Sequence, residues 1–354
     1  MIRLGIVGCN YGRTVLLPAF RLDRRCEVVA LAGTDAARTA QLARESGIPK
    51  AFGDWTALVE DKTVDAVAIA TPPREQPAIA VRALQLGKPV FAEKPLAADL
   101  AGAQSMLRQS FIARVPTIVD FEFMELAAWR RTKENFDARI IGPLRHVIVT
   151  WNVENQATRQ RLHHWKTRRG DGGGVLGNFA SHSLHYLEWF CGPISTLSGR
   201  IFGLPGDATI EATVALAFTF ASGAGGSLTV SSASYAGSGH RIEFYGEDGS
   251  LFLTNTTNDY LRGFELTVAR RSSEKLERIE VTDPDEHKYP DGRIAPVSHL
   301  ARRFLDAIEG KDIAYPGFAE GYRVQQLIDA ARRSHDGGCA VETPVQKLAM
   351  EARA

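Results

Sequence analysis

Short apolar runs alternate with amphipathic segments through the first third of the chain. The apolar runs are continuous rather than alternating, which is typical of strands buried on both faces of a parallel sheet. They lie at residues 3–8, 27–32, 66–70, 90–92 and 117–119. The segments between them have helical periodicity, and Gly87 followed by Pro89 marks the end of one helix. Residues 1–120 are therefore predicted to form a doubly wound α/β domain.

Longer strand candidates dominate beyond residue 120. Residues 213–220 and 226–232 flank a glycine-rich turn and predict a hairpin. Further strand candidates lie at 146–152, 241–245, 250–253 and 265–270. Two closing helices, within residues 297–335, are expected to pack back toward the domain junction. Residues 121–354 are therefore predicted to form an α+β domain with an open, mostly antiparallel sheet.

The composition narrows the class of protein. The chain has 354 residues, 44% of them hydrophobic and 23% charged, which suits two well-packed domains. A net charge of +1 favours neither a nucleic-acid nor a membrane partner. The four cysteines (Cys9, Cys26, Cys191 and Cys339) are far apart, so we expect reduced thiols, no zinc or other metal, and a cytoplasmic location. We also expect no signal peptide and no membrane span.

The segment after the first strand has the order strand, glycine turn, helix. Dinucleotide-binding folds carry G-x-G-x-x-G here, with the phosphates held at the helix N-terminus. Gly8 fits the first position, Asn10 replaces the second glycine, and Arg13 replaces the third. Tyr11 and Gly12 complete the turn, and asparagine tolerates left-handed backbone. A Rossmann nucleotide site is predicted, with a plain strand–helix turn as the alternative.

The end of the second strand bears on the choice of nucleotide. NAD-selective proteins place Asp or Glu there to bind the ribose 2′-hydroxyl. This chain has Gly33 at that position, followed by Thr34 and, one turn into the helix, Arg38. These residues favour a 2′-phosphate and predict NADP(H) over NAD(H). The alternative is that Thr34 caps the helix and Arg38 is a solvated helix residue.

Two motifs carry a resemblance to a known family. Residues 70–73 read Ala-Thr-Pro-Pro, and residues 87–95 read Gly-Lys-Pro-Val-Phe-Ala-Glu-Lys-Pro. They resemble the glucose–fructose oxidoreductase / inositol dehydrogenase / rhizopine catabolism family (Gfo/Idh/MocA). The resemblance implies that Thr71, Pro72, Glu93 and Lys94 adjoin the cofactor, with Lys94 also beside the substrate. Gln76 stands where the family often has a histidine next to the cofactor.

The chemistry expected of Lys94 agrees with this resemblance. Strand ends of a doubly wound sheet direct side chains into the ligand crevice. Pro95 ends regular structure directly after Lys94, and Glu93 can orient the ammonium. An ammonium beside a substrate hydroxyl can hydrogen-bond its oxygen and assist proton movement. The alternative is a surface loop lysine followed by a proline.

A second match lies at residues 172–186, which begin with a glycine run. The family pattern has Asp and then His four residues later, and residues four apart share one helix face. Asn178 stands for the Asp, and His182 matches the histidine, the expected general acid/base. His185 lies where a second Asp often occurs. Asparagine cannot accept a proton, so the usual acid–base relay is in question. Either Lys94 or His182 acts alone, or His185 shares the role. The alternative is a helix histidine held by packing.

Further substrate contacts are expected near these motifs. Glu122 lies just past the domain junction, where the family often has Asn. Trp165 and Arg168 precede the glycine run, among further Lys and Arg residues that could receive a phosphate or carboxylate. A solvated basic loop is the alternative.

Together these residues predict hydride transfer between the nicotinamide and a carbinol or carbonyl carbon of a sugar, cyclitol or sugar derivative. The hypothesis requires Lys94 and His182 to converge over one nicotinamide ring. The resemblance also implies a homodimer or homotetramer formed through the C-terminal sheet. A catalytically silent NAD(P)-binding sensor of the same fold is the alternative, and reduction of a non-sugar carbonyl or C–C double bond is a third possibility.

Overall fold

The computed structural model describes residues 1–273 and 275–344, which form two units. The first unit combines Met1–Glu122 with Lys288–Gln325. The second combines Phe123–His287 with the described part of Gln326–Ala354. The predicted division after residue 120 stays a prediction, and positions 274 and 345–354 of the predicted second domain lie outside the described residues.

Six parallel strands form the sheet of the first unit. They are β1 (Ile2–Val7), β2 (Cys26–Ala32), β3 (Lys50–Phe52), β4 (Ala66–Ile69), β5 (Val90–Ala92) and β6 (Thr117–Val119). Their order is β3-β2-β1-β4-β5-β6, which confirms the predicted doubly wound sheet. The direction of winding reverses between β1 and β4, the place where such sheets bind ligands. Strand β3 was not predicted, because its three residues lack an apolar run.

The second unit contains a nine-stranded sheet. Its strands are β7 (Leu144–Asn152), β8 (Ile194–Leu204), β9 (Asp207–Phe220), β10 (Gly225–Ser231), β11 (Gly239–Gly246), β12 (Gly249–Asn255), β13 (Glu265–Arg270), β14 (Leu276–Ile279) and β15 (Val341–Glu342). The strands pair antiparallel except for β7 with β10. The mostly antiparallel sheet and the β9–β10 hairpin are thus confirmed.

The α-helices are α1 (Leu17–Arg21), α2 (Ala36–Glu45), α3 (Trp55–Glu60), α4 (Gln76–Gln85), α5 (Leu100–Ala113), α6 (Ala127–Asp137), α7 (Gln156–Arg159), α8 (Ser181–Cys191), α9 (Ile294–Ile308) and α10 (Phe318–Gly337). Single π-helical turns, Gly12–Leu16 and Leu176–Ala180, lead into α1 and α8. Such turns often mark functional sites. Both lie at segments where the sequence predicts ligand binding.

Helix α9 belongs to the core of the first unit, although it is distant in sequence. The ring of Phe304 on α9 lies 6.2 Å from that of Phe20 and 5.9 Å from that of Phe91, both with edge-to-face geometry. All three rings are fully buried. This packing holds the helix on the parallel sheet that carries the predicted nucleotide turn.

Candidate active site

The turn after β1 depends on two glycines. Gly8 has a φ of +116°, and a Cβ there would lie 2.3 Å from the carbonyl oxygen of Ala70, directly after β4. A Cβ on Gly12 would lie 2.7 Å from Cγ2 of Ile6, so Gly12 allows the close helix–strand packing expected at the third glycine of the motif. The left-handed backbone lies at Gly8 and not at Asn10, whose carbonyl accepts a hydrogen bond from the Thr14 amide at 3.0 Å.

Two buried polar atoms beside this turn fit a bound nucleotide. Oγ1 of Thr71 and Nε of Arg13 are buried without a hydrogen-bond partner among residues 1–273 and 275–344. Thr71 follows β4 and Arg13 follows β1, the two strands at which the winding reverses. Buried polar atoms are normally satisfied, so a ligand with oxygen acceptors and donors suits this position. Pro72 is half-buried beside Thr71.

At the end of β2, any side chain at position 33 would displace neighbouring side chains. A Cβ on Gly33 would lie 2.6 Å from both Sγ of Cys9 and Oγ1 of Thr39. Thr34 and Arg38 are exposed. Asp35, rather than Thr34, caps α2, because its side chain accepts a hydrogen bond from the backbone amide of Arg38 at 3.0 Å.

The turn after β5 carries Glu93 and Lys94. The Glu93 amide donates to the carbonyl of Ile69 at 2.9 Å, which ties this turn to the end of β4. Gln76 is fully buried, and its Nε2 donates to the carbonyl of Pro95 at 2.8 Å. The Lys94–Pro95 peptide bond is cis. Gln76 thus fixes the backbone immediately after Lys94.

Three carboxyl groups surround Lys94 within the first unit. Asp120 is fully buried, Glu122 is 3% exposed, and an oxygen of the half-buried Glu93 is enclosed. Burial raises the pKa of Glu93 to about 7 and that of Glu122 to about 8. Burial and the neighbouring Glu93 raise the pKa of Asp120 well above its usual range. The positive charge of Lys94 opposes the rise of the pKa of each of these three groups.

Sequence reasoning missed Asp120. It directly follows β6 at the carboxyl edge of the parallel sheet, where ligand-binding side chains of this fold gather. Its hydrogen-bond partner is Tyr11, whose hydroxyl donates to Oδ2 of Asp120 at 3.1 Å. The position of an acid after a buried strand was the signal that could have identified it.

In the second unit, the glycine run packs against the segment that precedes it. A Cβ on Gly173 would lie 1.9 Å from the carbonyl oxygen of Trp165. The Lys166 carbonyl accepts hydrogen bonds from the Gly174 amide, at 2.9 Å, and from Nδ2 of Asn178. Asn178 therefore fastens this segment to the start of the following helix.

The histidines of α8 lie in an aromatic environment. His182 is 3% exposed, and its ring centroid lies 5.0 Å from that of Phe123 and 6.2 Å from that of Trp151. Burial lowers the pKa of His185 to about 3, so this imidazole is neutral near pH 7. His240, which the sequence did not single out, stacks on Trp151 at 4.4 Å.

The basic residues before the glycine run are exposed and partly ion-paired. Nε of Arg168 lies 2.9 Å from a carboxylate oxygen of Asp171. Arg169 lies within 3.8 Å of the buried Glu211. The Lys166 ammonium lies 5.7 Å from the ring centroid of Trp165. The structure therefore gathers Trp165, Arg168 and Asn178 around one loop.

Within residues 1–273 and 275–344, no group of three or more His, Cys, Asp or Glu side chains is arranged to hold a metal ion. The helices in this part of the chain are too short or too polar to cross a membrane.

Comparisons with known proteins agree with this architecture. An uncharacterized oxidoreductase of Synechocystis sp. is 28% identical over 348 residues, covering 94% of each chain. Levoglucosan dehydrogenase of Pseudarthrobacter phenanthrenivorans is 24% identical, with 90% of this chain and 89% of that one covered. A solved structure of levoglucosan dehydrogenase in complex with NADH and levoglucosan has a TM-score of 0.84 at 21% identity, covering 97% of this chain and 99% of that one. The structural similarity shows the fold.

Family models match both parts of the chain. One, described as an oxidoreductase family with an NAD-binding Rossmann fold, matches residues 2–113. Another, described as the GFO/IDH/MocA C-terminal domain, matches residues 129–252. The resemblance inferred from residues 70–73 and 87–95 is confirmed. The chain therefore belongs to the GFO/IDH/MocA family and is an oxidoreductase.

Proposed function

We propose that this enzyme transfers a hydride between NADP(H) and a carbinol or carbonyl carbon of a sugar, cyclitol or sugar derivative. The observation that carries the proposal is the position of Lys94. It follows β5 at the same sheet edge as the nucleotide turn, next to the half-buried Glu93 and in the unit that also buries Asp120 and Glu122, with its backbone fixed by Gln76. The name of the similar levoglucosan dehydrogenase supports a sugar-like substrate.

Bound NADP(H) would supply or accept the hydride, and the chain would manage the proton. In the oxidative direction, the Lys94 ammonium donates a hydrogen bond to the substrate oxygen, and the His182 imidazole accepts the hydroxyl proton. Asn178, His185, Glu122, Trp165 and Arg168 are proposed as substrate contacts. The low pKa of His185 suits a neutral hydrogen-bonding role rather than proton transfer at neutral pH.

The preference for NADP(H) over NAD(H) rests on the end of β2. Gly33 provides no carboxylate for the ribose 2′-hydroxyl, while Thr34 and Arg38 are exposed beside it. The cofactor contacts proposed are Gly8, Asn10, Tyr11, Gly12, Arg13, Thr34, Arg38, Thr71, Pro72, Gln76, Glu93 and Lys94.

We assign cofactor binding to residues 1–120, and substrate binding and self-association to residues 121–354. A homodimer or homotetramer formed through the nine-stranded sheet, and a cytoplasmic location, complete the proposal.

Turnover of a polyol panel with NADP⁺, together with an NADPH fluorescence titration, tests the proposed function. Lys94→Ala should reduce turnover by about 10²- to 10³-fold, the usual cost of removing a hydrogen-bond donor from an oxygen that gains negative charge, while NADPH binding persists. The exposed Lys62→Ala variant is the control and should match the wild type. Near-normal turnover in Lys94→Ala would reject the assignment. Tight NADPH binding without turnover of any polyol by the wild type would favour the silent sensor.

A further inference from the structure

Glu93 and Asp120 lie side by side at the ends of neighbouring strands. Ala92 of β5 pairs with Val119 of β6, so the next residue of each strand is an acid. The Asp120 amide donates to the Ala92 carbonyl at 2.9 Å, which continues the pairing beyond the strands. Oε1 of Glu93 and Oδ1 of Asp120 are both buried, and neither has a hydrogen-bond partner among residues 1–273 and 275–344. Ionised carboxylates only accept hydrogen bonds and repel each other, so a proton on one of these two neighbours would remove the repulsion and provide a donor for an enclosed oxygen.

Tyr11 joins this pair to the nucleotide turn. Its hydroxyl donates to Oδ2 of Asp120 at 3.1 Å, and its ring lies 5.2 Å from the guanidinium of Arg293. Tyr11 stands between Gly8 and Gly12, whose tight packing fixes the backbone of the turn. A continuous series of contacts therefore runs from the nucleotide turn to the residue immediately before Lys94.

We propose that Tyr11, Asp120 and Glu93 form a hydrogen-bonded chain that shares one proton and positions Lys94 relative to the nucleotide turn. The role of Lys94 in this proposal rests on the proposed hydride transfer. The proton shared within the chain of Tyr11, Asp120 and Glu93 is independent of that reaction. Tyr11, Asp120 and Glu93 are positioning residues in this scheme, because they act through Lys94.

Charge balance explains why one proton matters. The groups that face Asp120 are Tyr11, Glu93, Lys94 and Glu122, and Arg293 in turn acts on Glu122. With one proton shared, the Glu93–Asp120 pair carries a single negative charge opposite the Lys94 ammonium. Loss of that proton leaves two adjacent buried anions, whose repulsion separates the strand ends that hold Lys94. Retention of the proton near neutral pH agrees with the raised pKa of both carboxyl groups.

The proposal predicts a specific pH dependence of stability. A carboxyl group with a raised folded-state pKa favours the folded state fully below its ordinary pKa, and this contribution is lost as the pH rises through the folded-state value. For Glu93 this contribution is lost between pH 4.5, its ordinary pKa, and about pH 7, its pKa in the folded state. For Asp120 the loss begins at its ordinary pKa of 3.8 and extends to higher pH. Asparagine at position 120 can reproduce the bonds of a protonated acid but cannot titrate.

Thermal unfolding of the full chain from about pH 4 to pH 9, without substrate, tests the shared proton. As the pH rises, the melting temperature of Asp120→Asn should fall less than that of the wild type. The melting temperature of the exposed Glu27→Gln control should fall as much as that of the wild type. Tyr11→Phe removes a hydrogen bond that favours ionised Asp120 and that lowers its pKa. In this variant the fall in melting temperature should therefore occur at higher pH. Unchanged profiles in both variants would overturn the proposal. If Asp120→Asn fails to fold, Tyr11→Phe decides alone.

The pH profile of kcat tests the positioning of Lys94. In Tyr11→Phe the alkaline limb should shift to higher pH, and Asp120→Asn should lower kcat by roughly tenfold, less than Lys94→Ala does. An alkaline limb identical to the wild type would refute the positioning role. If no polyol is turned over but the unfolding profiles change as expected, the proposed reaction fails and the shared proton stands.

Discussion

The side-chain amide of Asn178 donates a hydrogen bond to the main-chain carbonyl of Lys166, twelve residues earlier. The same carbonyl accepts the Gly174 amide, so two donors converge on one oxygen. The sequence suggests that Asn178 is a weakened substitute for a family Asp. In the structure, Asn178 instead donates a hydrogen bond to this carbonyl, which an ionised Asp could not do because it has no donor.

Replacing Asn178 with Asp should destabilise the loop before α8. The substitution removes the bond to Lys166 and places a carboxylate against a carbonyl oxygen, so we expect a loss of about 1 kcal/mol in the free energy of unfolding. Chemical denaturation at pH 7 measures it. Asn135→Asp is the matched control, since that amide bonds a carbonyl within its own helix and does not join two separate segments. Equal losses in the two variants would contradict the proposed fastening.

Replacing Gly8 with Ala should disrupt the nucleotide turn. The new Cβ would combine an unfavourable φ of +116° with a contact of 2.3 Å to the Ala70 carbonyl, and both are backbone constraints. We expect loss of NADPH binding in a fluorescence titration and a lower melting temperature. Gly87→Ala separates the two causes, because Gly87 has a φ of +72° but no atom within 4 Å of its Cβ position. We expect Gly87→Ala to lower the free energy of unfolding by only about 1–2 kcal/mol and to retain NADPH binding. Retained binding in Gly8→Ala would show that the close approach is not required.

Arg38 provides the test of nucleotide preference. If its guanidinium receives a 2′-phosphate, Arg38→Ala should weaken NADPH binding by roughly tenfold or more while NADH binding stays unchanged. Arg44→Ala is the control, because Arg44 is exposed on the same helix but lies near its other end. A similar loss of affinity for NADPH and NADH would argue against a phosphate contact.

The fold followed from sequence where the local pattern determines it. Strands β4 and β5 are continuous apolar runs, and their buried faces reproduce the prediction closely. Strand β8 escaped prediction because Gly199 and Gly203 interrupt its apolar pattern; the structure shows that each lies against backbone atoms of β9. Such close approach depends on a partner strand and is not visible in one segment.

The site was predictable only in part. Motif spacing singled out Lys94 and His182 as candidate site residues, because each stands within a recognisable local sequence. Asp120 and His240 have no such surroundings, and their partners Tyr11 and Tyr186 are distant in sequence. The alternative in which Thr34 caps α2 is wrong, because Asp35 is the cap. Both residue types cap helices, and only the backbone conformation decides between them.

The buried His185 of α8 limits the stability of the protein at acid pH. His185 is 5% exposed, and burial lowers its pKa to about 3, against about 6.5 in an unfolded chain. A lowered folded-state pKa means that the stabilising contribution is complete above the unfolded value and is lost as the pH falls toward the folded one. Through this residue alone, the free energy of unfolding of the wild type should therefore fall by about 2 kcal/mol between pH 6.5 and 5.

His185→Gln tests this limit, because glutamine is neutral at every pH. Its free energy of unfolding should fall less than that of the wild type between pH 6.5 and 5, even if its stability at pH 7 is lower. His287→Gln is the control, since the His287 side chain is 80% exposed and folding does not remove it from water. The slope with pH, rather than absolute stability, is the deciding measurement, because lost packing lowers stability equally at all pH values. An unchanged slope in His185→Gln would show that this imidazole is not held neutral by burial.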